Sequence, residues 1–240
     1  MKLFNKNGEA AKQTQASIDV PHPFRDTTIS KDWRKLVWVF ALMSIAGLVG
    51  ETLQHFFAFN EWESRPGLIW GPFSPIYGTA AVILTLVLEP LTKKNILFVF
   101  VVAAVTGGVL EYFAAWAMET FWGVVAWSYE DVPFNINGKT CLFICVVWGI
   151  LGALWVRYGI ALFNKLFEKL DLHKRSNEIF TDILALYLVV NIVVTATVLL
   201  RADARTHDVP PQNVIEMFYD QVYPDEVLQD RFENMGGLGA

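Results

Sequence analysis

Residues 96–121 read ILFVFVVAAVTGGVLEYFAAWAMETF, and this stretch decides the fold class of the protein. Its 26 residues include only two charged side chains, Glu111 and Glu119. A helix crosses a hydrocarbon core of about 30 Å with roughly 20 apolar residues, at about 1.5 Å per residue. The stretch exceeds this minimum, which a tilted helix accommodates. It therefore predicts one membrane-spanning helix.

Four other apolar runs have the same character, although the second run along the chain is short. Only 18% of the 240 residues are charged, against about 25% in an average soluble domain. The mean hydropathy is +0.37. We therefore predict an all-α membrane protein, a bundle of about five transmembrane helices. The predicted spans are residues 36–57, 76–91, 96–121, 141–163 and 179–200.

The distribution of basic residues predicts the orientation of the bundle. Fourteen of the 19 lysines and arginines lie before the first run, after the second run, or at the end of the fourth run and just after it. Because such residues are retained on the cytoplasmic side, the N-terminus is expected inside and the C-terminus outside. The predicted parts are a polar cytoplasmic tail (residues 1–31), a transmembrane domain (32–201) and an acidic extracytoplasmic tail (202–240). The net charge of −5 argues against nucleic acid as a partner. The expected partner is the lipid bilayer.

This orientation predicts opposite labelling of two introduced cysteines. In a background without Cys141 and Cys145, Ser17→Cys is expected to react with a membrane-impermeant maleimide only after cell lysis. Gln229→Cys is expected to react in intact cells. Labelling of both cysteines from outside would contradict the orientation.

Glu51 and Glu111 lie well inside apolar runs, and an acid at a helix centre costs at least about 2.5 kcal/mol. Glu51 and His55 are four residues apart and share a helix face, and Glu111 shares a face with Glu119. Counted from the predicted cytoplasmic ends, Glu51 and Glu111 both fall in the outer half of the membrane. They predict a shared polar cavity that opens outward; the alternative is that each acid hydrogen-bonds a loop and locks the bundle. With a single histidine here, we expect neither a metal nor a cofactor.

Two loops on the predicted outer side supply further candidates. The first loop, residues 65–78, carries three prolines and three glycines, which predicts a rigid, non-helical approach to the second span. The second loop, residues 127–139, has a turn signal at Asn137-Gly138 and several amide and hydroxyl groups. We predict a rim that contacts a ligand. Its candidate residues are Arg65, Tyr77, Trp127, Tyr129, Asn135, Asn137 and Lys139.

Other polar residues have simpler interpretations. Asn191, Thr195 and Thr197 in the fifth run are expected to form hydrogen bonds between helices. Glu89 is expected to pair with Lys93, four residues away. A short helix is predicted in the tail, before Pro224.

The ordered motifs resemble the CmpB-like family of bacterial multi-pass membrane proteins, known as ABC-transporter type IV permeases. The resemblance covers residues 36–152, and the order Ala126-Trp127-Ser128-Tyr129 departs from the family pattern. It implies a permease of the bacterial plasma membrane that works with a separate ATPase. A separate ATPase is required because the chain has no nucleotide-binding motif of its own. It would dock on residues 93–95 or 161–176, which are predicted to be cytoplasmic. The motifs that carry the resemblance are Gly50-Glu51, GPFSPIYG (71–78), Leu110-Glu111-Tyr112, Trp127-Ser128-Tyr129, FNINGKTCL (134–142) and Trp148-Gly149.

Three functions remain open at this point. The first is a transport component that binds a small solute or cation at Glu51 and Glu111. The second is an intramembrane enzyme for a lipid-linked substrate, in which Arg65 and Lys139 hold a phosphate headgroup. The third is a non-catalytic partner or sensor subunit. A polar path to both faces favours transport, whereas a pocket closed on the inner side favours the enzyme. The substrate is not defined by the sequence.

Overall fold

The computed structural model describes residues 28–63, 65 and 67–233. Most of the predicted cytoplasmic tail, residues 1–27, and the last seven residues of the acidic tail lie outside this part. The regular secondary structure of the described chain is helical apart from one hairpin, in which β1 (Asn135–Ile136) pairs with β2 (Thr140–Cys141). The helices are α1 (Trp33–Phe59), α2 (Pro75–Leu88), α3 (Ile96–Trp122), α4 (Leu142–Leu154), α5 (Ile160–Leu170), α6 (Arg175–Thr206), α7 (Val214–Val222) and α8 (Asp225–Arg231).

Four helical segments are long and apolar enough to cross a membrane, which confirms the predicted all-α membrane fold. They are α1, α3, α6 and the continuous segment Leu142–Leu170, in which a π-helical turn at Trp155–Gly159 joins α4 to α5. The second predicted span is shorter. It consists of α2 and a 3₁₀ turn, which together form Pro75–Leu91.

The second span is short because the first loop enters the bundle before α2 begins. The Trp70 backbone N–H donates to Asn191 Oδ1 (3.2 Å), and Asn191 Nδ2 donates to the Trp70 carbonyl (2.6 Å). Ile69 N–H donates to Thr195 Oγ1 (3.1 Å). Asn191 lies about 22 Å from the C-terminal end of α6, near the middle of that helix. Asn191 and Thr195 of α6 therefore bind loop backbone instead of another helix, whereas Thr197 lies 3.0 Å from the Tyr219 hydroxyl of α7, a contact between helices as the sequence predicted.

This arrangement has a physical reason. Backbone groups at membrane depth find no water, so non-helical chain is tolerated there only when protein groups satisfy it. Ser74 N–H also donates to the Ser44 carbonyl in α1, and Arg231 Nη2 donates to the carbonyls of Leu68 and Gly71. Helices α1, α6 and α8 together satisfy the buried part of the first loop.

Small residues bring neighbouring helices into close contact. A Cβ at Gly47 of α1 would overlap the Tyr77 ring of α2, and a Cβ at Gly107 of α3 would overlap the Trp148 ring of α4. Such close approach is the usual basis of helix association in lipid. Gly50 differs from these glycines, because a Cβ there would meet nothing within 4 Å.

The end of the bundle at which α1 begins is closed by an apolar cluster, and we call it the sealed end. The apolar face of α5 packs into this cluster. Glu89 was expected to pair with Lys93. It accepts hydrogen bonds from the backbone N–H groups of Ile29 (2.8 Å) and Ser30 (2.7 Å), which were not predicted. The cluster contains Ile29, Val39, Ala81, Trp155, Ile160, Phe163, Phe167 and Leu172.

The opposite end carries both loops and the acidic tail, and we call it the loop end. The predicted short helix is α7, and Pro224 then begins a second helix, α8, which the sequence did not indicate. Asp220 accepts two hydrogen bonds from Arg201, each 2.8 Å, and the Arg201 guanidinium lowers the pKa of that carboxyl. Leu228 and Phe232 are buried against α6. The described part of the tail is therefore docked on the bundle.

Candidate functional site

A cleft of about 840 Å³ lies between α1 and α4, with α2 and α3 contributing its floor. Helix α1 packs against α2 and helix α3 against α4, whereas α1 and α4 make no extensive contact within the described chain. This volume lies within the range of about 300–1,000 Å³ that is typical of ligand sites. Polar residues of the lining lie toward the loop end. They are Glu51, Gln54, His55, Arg65, Tyr77, Glu111 and Tyr129.

Glu111 is the most enclosed acid of the cleft, with 7% of its surface exposed. Its two carboxylate oxygens accept hydrogen bonds from the Tyr129 hydroxyl (2.6 Å) and from Trp148 Nε1 (2.5 Å). Gly107, one helical turn earlier, leaves room for the Trp148 ring against α3. A glycine thus makes it possible for an aromatic donor to reach the acid.

Glu51 has a closely similar environment on α1. It accepts a hydrogen bond from the Tyr77 hydroxyl (2.8 Å), and Gly47, one turn earlier, leaves room for the Tyr77 ring. Arg65 Nη1 lies 3.8 Å from the other Glu51 oxygen. The cleft therefore contains two Gly-x-x-x-Glu units, each completed by an aromatic donor from the neighbouring helix.

The polar end of the cleft carries more acidic than basic side chains. Arg65 and His55 both contact Glu63, at 3.4 and 2.9 Å, so Arg65 is shared between Glu63 and Glu51. Glu111 receives hydrogen bonds from neutral groups. Burial, together with the nearby Glu111 carboxylate, raises the pKa of Tyr129, which keeps its hydroxyl protonated as a donor. Acidic groups thus outnumber basic ones at this end.

The remaining predicted rim residues lie outside the cleft lining and stabilise the second loop. Asn135 donates to the carbonyls of Glu130 and Val132, and Asn137 donates to the Tyr112 hydroxyl. The turn has φ of 51° at Asn137 and 68° at Gly138, as its Asn-Gly sequence predicts. Through this loop the chain places Tyr129 beside Glu111. The predicted site residues that hold this loop in place are Asn135, Asn137, Trp127 and Glu119. Trp127 donates to the Lys139 carbonyl, and Glu119 pairs with Lys139.

The lining residues that were not predicted from the sequence include Gln54, Trp148 and Trp155. Trp148 was noted only as part of a motif. A buried indole N–H requires an acceptor, and in an apolar run with few polar groups this requirement points to an acid on a neighbouring helix. That signal marks Trp148 as a donor that needs a polar partner, but it does not identify Glu111 as the acceptor, since Trp155 donates to the Thr85 hydroxyl instead.

The cleft changes character along its length. From Tyr77 toward the sealed end the lining is apolar, and it includes Met43, Leu84, Leu151 and Trp155. Trp155 also belongs to the cluster that closes the sealed end. In this structure the cleft is polar near the loops and apolar toward the sealed end.

Comparison with protein families gave one match. A family model described as "Putative ABC-transporter type IV" matches residues 38–196, well over half of the chain. The matched region extends from α1 into α6 and contains the whole cleft lining. Searches of curated proteins and of solved structures found no match.

Proposed function

Because the chain belongs to the ABC-transporter type IV family, we propose that it is a membrane-embedded transport component that holds its substrate in the cleft between α1 and α4. The observation that carries this proposal is the pair of acids, Glu51 and Glu111, on one cavity within a membrane-spanning bundle. Acids at membrane depth are costly, and they commonly mark substrate or ion pathways.

We assign different roles to the groups of the cleft. Glu51 and Glu111 supply the negative charge that a cation or a cationic solute requires. The Tyr77, Tyr129 and Trp148 donors fix the carboxylate orientations, so the ligand meets a preorganised site. Arg65 lies at the start of the first loop. There it can bind an anionic group of the ligand, or it can move away from Glu51 when the ligand binds.

A partner ATPase would complete the transport system. Residues 93–95 and 161–176 remain the proposed contact segments, and both lie toward the sealed end, on the side of the bundle opposite the cleft mouth. The outer side of α5 is available there, since Leu162 is 65% exposed while Phe163 and Phe167 are buried.

An intramembrane enzyme for a lipid-linked substrate is the second candidate. The apolar half of the cleft supports it, and so does the closure of the sealed end, because that end is the predicted inner side. In that case Glu51 or Glu111 would act as general acid or base. The expected phosphate clamp would then rest on Arg65, because Lys139 is paired with Glu119 outside the lining.

Filling the cleft tests the proposed function. Gly50 faces open space in the cleft wall, so Gly50→Phe is expected to fold while occupying the site. We expect loss of complementation in a strain lacking the native gene. Untargeted mass spectrometry of the cell and medium pools should show the same solute changes as the deletion.

Val49→Phe is the matched control, because Val49 is an exposed neighbour outside the cleft lining. It adds the same ring and should complement fully. Normal complementation by a folded Gly50→Phe protein would refute a substrate site in this cleft.

A further inference from the structure

The cleft opens sideways as well as toward the loop end. Its rim includes Phe143, Leu151 and Leu154 of α4, which are 67, 44 and 49% exposed. Gly50 and Gln54 of α1 form the opposite edge and are exposed as well. Since α1 and α4 belong to segments that are long and apolar enough to span a membrane, we expect this side of the cleft to face lipid hydrocarbon. A hydrophobic chain could enter it without crossing water.

The length of the cleft matches a hydrocarbon chain better than a compact solute. On α4 and the π-helical turn the lining extends from Phe143 to Gly159, about 24 Å along the helix axis. On α1 it extends from Met43 to Phe59, a similar distance. Polar groups occupy only the loop end of this length.

The charge at the polar end selects the headgroup. Glu51 and Glu111 line the cleft with Arg65 as the basic partner, and Glu63 adds a further carboxylate against Arg65 and His55. The excess of carboxylates favours a cationic group beside Glu51 and Glu111 and disfavours an anionic one.

We propose that the cleft binds a cationic amphiphile, with its amine or quaternary ammonium head between Glu51 and Glu111 and its hydrocarbon chain along α4 toward Trp155. This inference rests on the proposed function and names the substrate class of the same site. The ligand enters from the lipid through the opening between α1 and α4.

The test uses the full-length protein in phosphatidylcholine nanodiscs. A chain-brominated dodecyltrimethylammonium is the probe, because Trp148 and Trp155 line the cleft and bromine quenches nearby indoles. Gly50→Phe nanodiscs give the background from probe dissolved in lipid. Dodecyltrimethylammonium, dodecyl sulfate, dodecyl maltoside and tetramethylammonium are then compared as competitors.

We expect cleft-specific quenching in the wild-type protein, and displacement by dodecyltrimethylammonium at a concentration about tenfold lower than by dodecyl sulfate or dodecyl maltoside. Tetramethylammonium should displace the probe weakly. Glu51→Gln should reduce the preference for the ammonium head while chain binding persists.

Each opposite outcome overturns a defined part of the inference. Equal displacement by the three dodecyl compounds refutes the cationic head, and strong displacement by tetramethylammonium refutes the role of the chain. Equal quenching in wild-type and Gly50→Phe proteins refutes binding in the cleft. The proposed function is judged separately by complementation with Gly50→Phe, so the two can fail independently.

Discussion

The Glu111→Gln variant is expected to fold as well as the wild-type protein and to lose at least about tenfold in transport activity. The amide oxygen can still accept from Trp148 Nε1, and the amide nitrogen can donate to the Tyr129 hydroxyl, because a phenol both donates and accepts. Both hydrogen bonds survive, and the negative charge is lost. Hydrogen bonds between helices in membranes contribute only about 0.6 kcal/mol on average, so stability should change little.

The measurement combines complementation with thermal unfolding in detergent. Glu119→Gln is the matched control, since it removes an acid from the same helix outside the cleft lining, and its amide oxygen can still accept from Lys139 and hold the second loop. It should keep full activity. If Glu51→Gln and Glu111→Gln were both fully active, the acids would serve only to hold the bundle together, and the assignment of the site would be wrong.

The Gly107→Val variant is expected to lose about 3 kcal/mol or more of stability. A side chain at this position would overlap the Trp148 ring, and moving that ring also removes the indole hydrogen bond to Glu111. Overpacking alone commonly costs about 1–3 kcal/mol, and a buried group left without its partner adds about 1–3 kcal/mol. The effect should be visible as a large drop in the thermal midpoint and in the folded fraction.

Gly50→Val separates packing from helix propensity. Both variants place valine in the interior of a membrane helix, but Gly50 faces open space. Gly50→Val should therefore unfold near the wild-type midpoint. Similar destabilisation of the two variants would show that the contact between α3 and α4 at Gly107 is less tight than described.

The two Gly-x-x-x-Glu units give these predictions a common basis. In each unit, a glycine admits an aromatic ring and the ring donates to an acid one turn further along the helix. These positions affect both stability and function, because the glycine that allows close packing also determines which donor reaches the carboxylate.

Some features of this protein follow from the sequence alone, since their causes are local. A run of more than 20 apolar residues can satisfy its backbone at membrane depth only as a helix, so residues 96–121 were sufficient to predict α3. The Asn137-Gly138 turn is equally local, because both residues tolerate positive φ. The importance of Glu51 and Glu111 was also evident, as an acid in an apolar run is costly wherever the other helices lie.

Other features were decided only by the tertiary structure. The long helices are apolar on nearly all sides, because their lipid-facing surfaces are as hydrophobic as their packed surfaces, so their periodicity does not identify the inner face. The sequence therefore could not show that Trp148 reaches Glu111 across 37 residues, or that Asn191 binds the Trp70 backbone across 121. Nor could it separate Tyr129, which lines the cleft, from Asn135, whose amide is used within its own loop. These assignments depend on how closely helices approach at glycines such as Gly47 and Gly107, and that distance is set by packing.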